Sequence, residues 1–420
     1  MAQRSTIGAS PRRREDARFV TGHGAYLDDL RFPDLAHAVL LRSPHAHARI
    51  DAIDTARARA APGVRAVLTA ADVRADGLHP LLPTVTANPH TGAPFAFLAQ
   101  PLLAEGKVRH VGEAVVLIVA DTKAQALDAA ERVAIAYEPL PAVVAAADAR
   151  APGAPELAPE VPGNLCLAWR TGDHDAVAGA FAAAAHVVRL RLETHRLVTN
   201  PMEPRGVVGQ HDPATGRTTL HVSAQSLHAN RDAAARALGV APTDLRFVAP
   251  DVGGGFGAKN FPYPEHALIA WAARRVGRPV KWIASRGEGF LADHQGRDHQ
   301  AEAALALDAE GRFLALQVAS VANLGAYLVG SAGGVQTGQY VHLQGTVYAI
   351  PAVALDITAV FTNTTPIGVL RGPGFAEANA IIERLIDAAS RQCGFDRLAL
   401  RRANLVAAAA MPMTNALGFT

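Results

Sequence analysis

Apolar residues fall in short runs along the first third of the chain, some alternating with polar positions and one unbroken. Alternation over 36–43 (AHAVLLRS), 48–54 (ARIDAID), 64–70 (VRAVLTA) and 133–140 (VAIAYEPL) predicts half-buried strands. The unbroken run in 113–121 (EAVVLIVAD) predicts a strand buried on both faces. Between them lie a helical turn from Thr55 with Asp54 as its cap and a helix over 123–132. Pro80, Pro83, Pro89 and Pro94 make 74–100 an irregular excursion. Together these elements predict a compact α+β domain over 1–145. Residues 146–164 are rich in alanine and carry Pro152, Pro155, Pro159 and Pro162, so they are expected to be a linker to a second domain over 165–420.

In that second part, strands are expected over 186–194, over 218–225 ending at Gln225, and over 313–326. A helix follows Gln225 and stops at Gly239. Ala378, Ile381, Ile382, Leu385, Ile386 and Ala389 mark one face of a later helix that ends at Gly394. The stretch 245–282 carries the densest chemistry. A strand (LRFV) leads into Gly253, Gly254, Gly255, Phe256 and Gly257, and a helix and a strand over 280–284 come after. Four glycines in five positions let several backbone N–H groups approach one anion without side-chain obstruction.

Gly253, Gly255 and Ala258 also satisfy the dinucleotide pattern G-x-G-x-x-G/A, with Ser285 and Arg286 after the second strand. That fold needs its glycines at the helix N-terminus. Here Pro262 and Pro264 delay the helix until about Pro264, which argues against a nicotinamide enzyme.

Composition excludes more than it assigns. A net charge of +2 gives no reason to expect nucleic acid. The longest strongly apolar run, 114–120, is far shorter than the ~20 residues of a membrane span. Arg12, Arg13 and Arg14 are followed by Glu15 and Asp16 rather than an apolar core, so a cytoplasmic protein is expected. Cys166 and Cys393 lack the spacing of an iron–sulfur or zinc site. His45, His47 and His110 show no helical pairing, and 293–299 (DHQGRDH) reads as a polar loop entering a strand, so no protein-held metal is expected.

Other candidates stand at element ends. In 200–208 (NPMEPRGVV) two prolines place Glu203 and Arg205 where they could pair or face a ligand. Gln225 offers a donor and an acceptor at a strand terminus. Arg371 and the Gly372–Pro373–Gly374 turn stand before a helix, where amides and a guanidinium can receive an anion.

The segments TGHGAYLDD (21–29), RSPHAHARI (42–50), GEAVVLIVAD (112–121), AYEPLP (136–141), NPMEPR (200–205), GGGFGAK (253–259) and RGPGFAEA (371–378) occur in this order. Over nearly its whole length the chain resembles the molybdenum-binding large subunit of the xanthine dehydrogenase, aldehyde oxidase and carbon monoxide dehydrogenase family. The resemblance implies an α/β hammerhead domain followed by the first part of a molybdopterin-binding α/β domain. It implies molybdopterin, in its cytosine dinucleotide form, with molybdenum. Cofactor contacts fall on Gln225, Gly255, Phe256, Gly257, Arg371 and Gly372, with the Phe256 and Gly257 amides reaching the metal's oxo ligand and the pterin; Asn260 and Pro373 fall beside the substrate.

The implied reaction is hydroxylation of an aldehyde or N-heterocycle with water as oxygen source, electrons leaving through iron–sulfur and FAD subunits. Gly372 stands where carbon monoxide dehydrogenases carry a copper-binding cysteine, which argues against that substrate. Asn260 stands where purine-oxidising members carry a glutamate. The family's catalytic glutamate lies near the end of a chain about twice this length, so no catalytic residue is assigned, and a split subunit completed by a separate chain is expected. The alternative reading is a non-catalytic remnant or assembly partner.

Overall fold

A computed structural model describes residues 7–420. Fifteen strands form its three sheets. In chain order they are β1 (Ala36–Arg42), β2 (Ala48–Asp54), β3 (Val64–Leu68), β4 (Lys107–Val108), β5 (Ala114–Ala120), β6 (Ala134–Pro139), β7 (Leu165–Gly172) and β8 (His186–Thr194). They continue with β9 (Gly206–His211), β10 (Thr218–Val222), β11 (Leu245–Val248), β12 (Val280–Ile283), β13 (His299–Leu307), β14 (Phe313–Asn323) and β15 (Ala352–Val360).

The largest sheet runs β11-β10-β9-β12-β1-β5-β3. β5 is buried at every position, and its alternate side chains enter different cores, as a strand covered on both faces requires. Leu117 and Val119 pack with Leu268 and Trp271 of the helix Pro264–Val276, while Val116, Ile118 and Ala120 meet Ala126 and Ala129 of the helix Lys123–Ala130. A second sheet, β7-β15-β14-β13-β8, lies against the helix Phe375–Cys393 on β8 and β13 and the helix His174–Ala183 on β14 and β15. The small sheet β4-β2-β6 completes the N-terminal part.

Two features differ from expectation. The seven-stranded sheet draws strands from both sides of 146–164, since β1 pairs in parallel with β12. Those residues are not a free tether either: Ala146, Ala149, Leu157, Ala158 and Val161 are buried in the larger core, and the Asn164 side chain ties Ala149 and Pro155 to Leu157. The prolines there shape a packed excursion rather than a flexible one.

Polar groups deep in the structure are paired or neutral. Glu265, at the start of the helix Pro264–Val276, binds Arg42 (2.7 Å) and Arg205 (3.1 Å); Arg42 also meets Glu288 and Arg205 meets Asp293. Burial works against the charged Glu265, but Arg205 and Arg42 outweigh it and hold the carboxyl well below its usual range. His266, His294 and His299 are buried, and burial pushes their pKa values down to about 4, about 3 and about 4. Below the unfolded value of about 6.5 an unfolded chain therefore binds protons that the folded chain refuses. Stability is held above pH 6.5 and lost as pH falls towards 4, by about 1.4 kcal/mol per pH unit for each histidine. Denaturant titrations at pH 7 and pH 5 are expected to show a clear loss at pH 5; equal midpoints would contradict this.

Candidate cofactor cleft

The glycine loop is held from below before it reaches any ligand. Asp251, just past β11, accepts from Arg18 Nη1 and Nη2 and from the Ala25 amide (2.8 Å). Those hydrogen bonds, Arg18's first, pull its pKa to about 2. Glu203 then takes the Gly253 amide at 2.9 Å while its own amide donates to the Gly253 carbonyl at 3.0 Å. Lys259 lies under the loop with Nζ on the Glu203 carbonyl (2.8 Å), Glu203 Oε2 (3.0 Å) and Ser223 Oγ (2.6 Å). Burial lowers the Lys259 pKa and Glu203 offsets this in part. Glu203 and Arg205 thus serve different networks, the one with Lys259 and the other with Glu265 and Asp293, and do not pair with each other.

The upper side of the loop is locked to the segment before the helix Phe375–Cys393. Phe256 sits at φ +50°, unusual for a bulky residue, and its carbonyl accepts the Arg371 amide at 2.8 Å. Gly257, at φ +104°, passes so close to that segment that a Cβ would lie 2.3 Å from the Val369 carbonyl oxygen. Gln225 lies three residues beyond the end of β10, so it stands on a loop rather than at the strand terminus. Its Oε1 accepts the Gly257 amide at 2.9 Å.

These contacts gather Gln225, Phe256, Gly257, Asn260, Arg371 and Pro373 around one cleft of 520 Å³. Gly255 sits behind it: a Cβ there would meet Gln225 Oε1 at 2.5 Å. Gly372 is outside the wall, with its carbonyl taken by Arg297. The Gly257 amide, expected to face a ligand, is instead committed to Gln225. Asn260 Oδ1 accepts from Ser226, which fixes its amide at the cleft edge. A larger groove of 710 Å³ runs past Leu78, Phe97 and Tyr327, but none of the loop or turn residues borders it.

Besides Val369 and Leu370, which directly precede Arg371, three lining residues escape the sequence pattern: Ser331, Val335 and Gln339. They come from the glycine-rich 330–345 stretch, where Val335–Gln339 forms a π-helical turn. Its glycines mark a tight path but nothing in their spacing announces a π turn.

The donor set of the cleft is one-sided. Among the described residues, the Arg371 guanidinium has no ion pair, Gln225 Nε2 donates to nothing, and the Phe256 amide has no acceptor. No aspartate or glutamate lines the space. Such a set receives negative charge. The lining offers no His, Cys, Asp or Glu side chain as a metal ligand, so a metal would suit it as part of an anionic chelate. A molybdenum carried on an anionic pterin fits both requirements.

The topology also removes the nicotinamide alternative. The helix after the loop begins at Pro264, and β11 and β12 are separated by β10 and β9 instead of lying side by side as a dinucleotide-binding unit demands. Arg286 is engaged with Asn200 and the Met202 carbonyl.

Comparison with known proteins agrees with this reading. Residues 157–405 match the molybdopterin cofactor-binding domain, and residues 21–141 match the a/b hammerhead domain of aldehyde oxidase and xanthine dehydrogenase. The chain belongs to this family of molybdopterin-binding large subunits. It is 37% identical to the 6-hydroxypseudooxynicotine dehydrogenase complex subunit gamma of Paenarthrobacter nicotinovorans, covering 98% of this chain and 51% of that protein. It is 32% identical to the carbon monoxide dehydrogenase large chain of Hydrogenophaga pseudoflava, covering 97% and 51%. The crystal structure of quinoline 2-oxidoreductase from Pseudomonas putida 86 superposes with a TM-score of 0.91 at 38% identity, over 98% of this chain and 51% of that one. The chain therefore spans about half the length of these relatives. The nicotinate dehydrogenase large molybdopterin subunit of Eubacterium barkeri, 29% identical, is covered over 86% of its length.

Proposed function

We propose that this chain forms one wall of the cofactor cleft of a molybdenum hydroxylase acting on an N-heterocycle or an aldehyde. The observation that carries the reading is the meeting of free donors and one unpaired guanidinium in a cleft without carboxylates. The bound group would be molybdopterin, in its cytosine dinucleotide form, and it would supply two-electron redox chemistry and a nucleophile drawn from water at neutral pH. The balance is R–H + H2O → R–OH + 2 e⁻ + 2 H⁺.

This chain's residues bind and orient. Gln225 Nε2 and the Phe256 amide would donate to the anionic group, and the Arg371 guanidinium would balance its charge. Asn260 and Pro373, with the half-exposed Phe256 ring, border the space left for a planar substrate. The names of the relatives matched, which include pyridine-derived and quinoline substrates, favour an N-heterocycle.

The two electrons leave through other chains. Cys166 is buried and far from Cys393 in sequence, so iron–sulfur and FAD subunits are the partners this reading requires. The rest of the cleft and the base that deprotonates water would lie in the half of the longer relatives that these 420 residues do not match. No helix among the described residues is long and apolar enough to cross a membrane, and a cytoplasmic complex forms part of the proposal.

The test is co-expression with the neighbouring open reading frames, purification of the complex and elemental analysis. About one molybdenum per copy of this chain is expected. Arg371→Ala and Gln225→Ala should each lower that content several-fold, with the complex still assembled. A complex that assembles without molybdenum would favour the non-catalytic alternative.

A further inference from the structure

One residue beside the cleft is held in a conformation that its neighbours must enforce. Arg297 and Asp298, at the entry to β13, occupy φ +68° and +62°, two successive non-glycine residues in the left-handed region. Such backbone persists only where the surroundings over-determine it. Here the Asp298 carboxylate holds Arg196 Nε (2.8 Å) and Asn323 Nδ2 (3.0 Å), and its carbonyl accepts the Asn323 amide at 3.0 Å.

The reversal turns the Arg297 side chain under the Arg371 turn. Nη2 donates to the Arg371 carbonyl at 2.8 Å, and Nη1 donates to the Gly372 carbonyl at 3.0 Å and lies 3.5 Å from the Leu370 carbonyl. Both Glu377 oxygens lie 3.4 Å from the same Nη1. The two side chains are nearly buried, at 10% and 8% exposure, so the pair neutralises itself away from water. Three successive carbonyls converge on one guanidinium. Arg371 itself lines the cleft, and its guanidinium has no partner among the described residues.

We propose that Arg297 is a positioning residue: by gathering the carbonyls of residues 370–372 it fixes the direction in which Arg371 presents its free guanidinium to an anionic ligand. This rests on the cofactor reading of the cleft, but the clamp itself is a property of the chain alone. A lysine cannot replace the fork, because an ammonium is a point donor without the planar spread that spans adjacent carbonyls. Glu377 makes the arrangement selective, since it cancels Arg297 and leaves Arg371 as the uncompensated cation at the rim.

The experiment uses the assembled complex with Arg297→Lys, Arg371→Ala and the double variant. Two quantities are read: amide hydrogen exchange over 368–376 and molybdenum per chain. Arg297→Lys should leave the melting temperature within a few degrees of wild type. It should raise exchange in that segment at least tenfold and lower molybdenum content several-fold. Added to Arg371→Ala it should cause no further loss, because both changes act on one contact. Wild-type exchange and metal content in Arg297→Lys, or losses that multiply in the double variant, would overturn the proposal. Arg297→Ala serves as a second variant and should exceed the lysine change in local exchange. If the wild-type complex holds no molybdenum, the cofactor reading fails while the exchange measurement still decides whether Arg297 sets the turn.

Discussion

Glu265→Ala is expected to destabilise the protein by about 3–5 kcal/mol, the range for removing one partner of a buried ion pair. Glu265 is 2% exposed and is the carboxylate shared by Arg42 and Arg205. Its loss leaves Glu288 as the one carboxylate on Arg42, at 10% and 16% side-chain exposure, and Asp293 as the one carboxylate on Arg205, at 4% and 5%. Arg42 ends β1, Arg205 precedes β9, and Glu265 opens the helix that packs on both strands' sheet, so the cluster joins the N-terminal strands to the rest. Arg205 is further fixed by the Tyr263 ring, 3.7 Å from its guanidinium carbon. A chemical denaturation midpoint that moves by less than the equivalent of ~1 kcal/mol would contradict this role.

The second large effect is expected from Gly257→Ala. A methyl at that position meets the Val369 carbonyl oxygen at 2.3 Å, and the backbone sits at a positive φ that only glycine adopts freely. Neither neighbour is the end of a flexible side chain, so the loop and the 369–371 segment must separate. Their separation breaks the bond from Arg371 to the Phe256 carbonyl and the bond from Gly257 to Gln225. We expect a stability loss of at least ~2 kcal/mol together with near-complete loss of molybdenum. Gly372→Ala is the comparison: nothing lies within 4 Å of its added carbon, so backbone strain alone acts and the loss should be about 1 kcal/mol. Equal metal content in the two variants would show that the close approach at Gly257 does not shape the cleft.

Local chemistry made part of this structure legible in sequence. The prolines at 262 and 264 dated the start of a helix that does begin at Pro264. The unbroken apolar run became β5, covered on both faces. Gly239 and Gly394 end their helices in the left-handed conformation. The cleft motifs were visible because glycine loops and basic turns carry their chemistry in residue type.

What stayed hidden depends on distant partners. Nothing in 36–42 or 280–283 says that β1 and β12 pair, because a parallel partner far along the chain leaves no periodic trace. Residues 146–164 have the composition of a linker but find a core to pack on. The sequence gives no sign that the Gly257 amide is taken, yet Gln225, 32 positions away, claims it. Arg297 lies inside the polar stretch 293–299, and only its strained backbone and three carbonyl partners reveal its orientation.

The central claim is that one cleft, bounded by Gln225, Phe256 and Arg371, receives the molybdenum cofactor. Anomalous diffraction at the molybdenum absorption edge, from crystals of the purified complex, tests it without reference to any substrate. The account predicts a single strong anomalous peak per chain inside that cleft. A peak elsewhere on the chain, or molybdenum held only by a partner subunit, would contradict it.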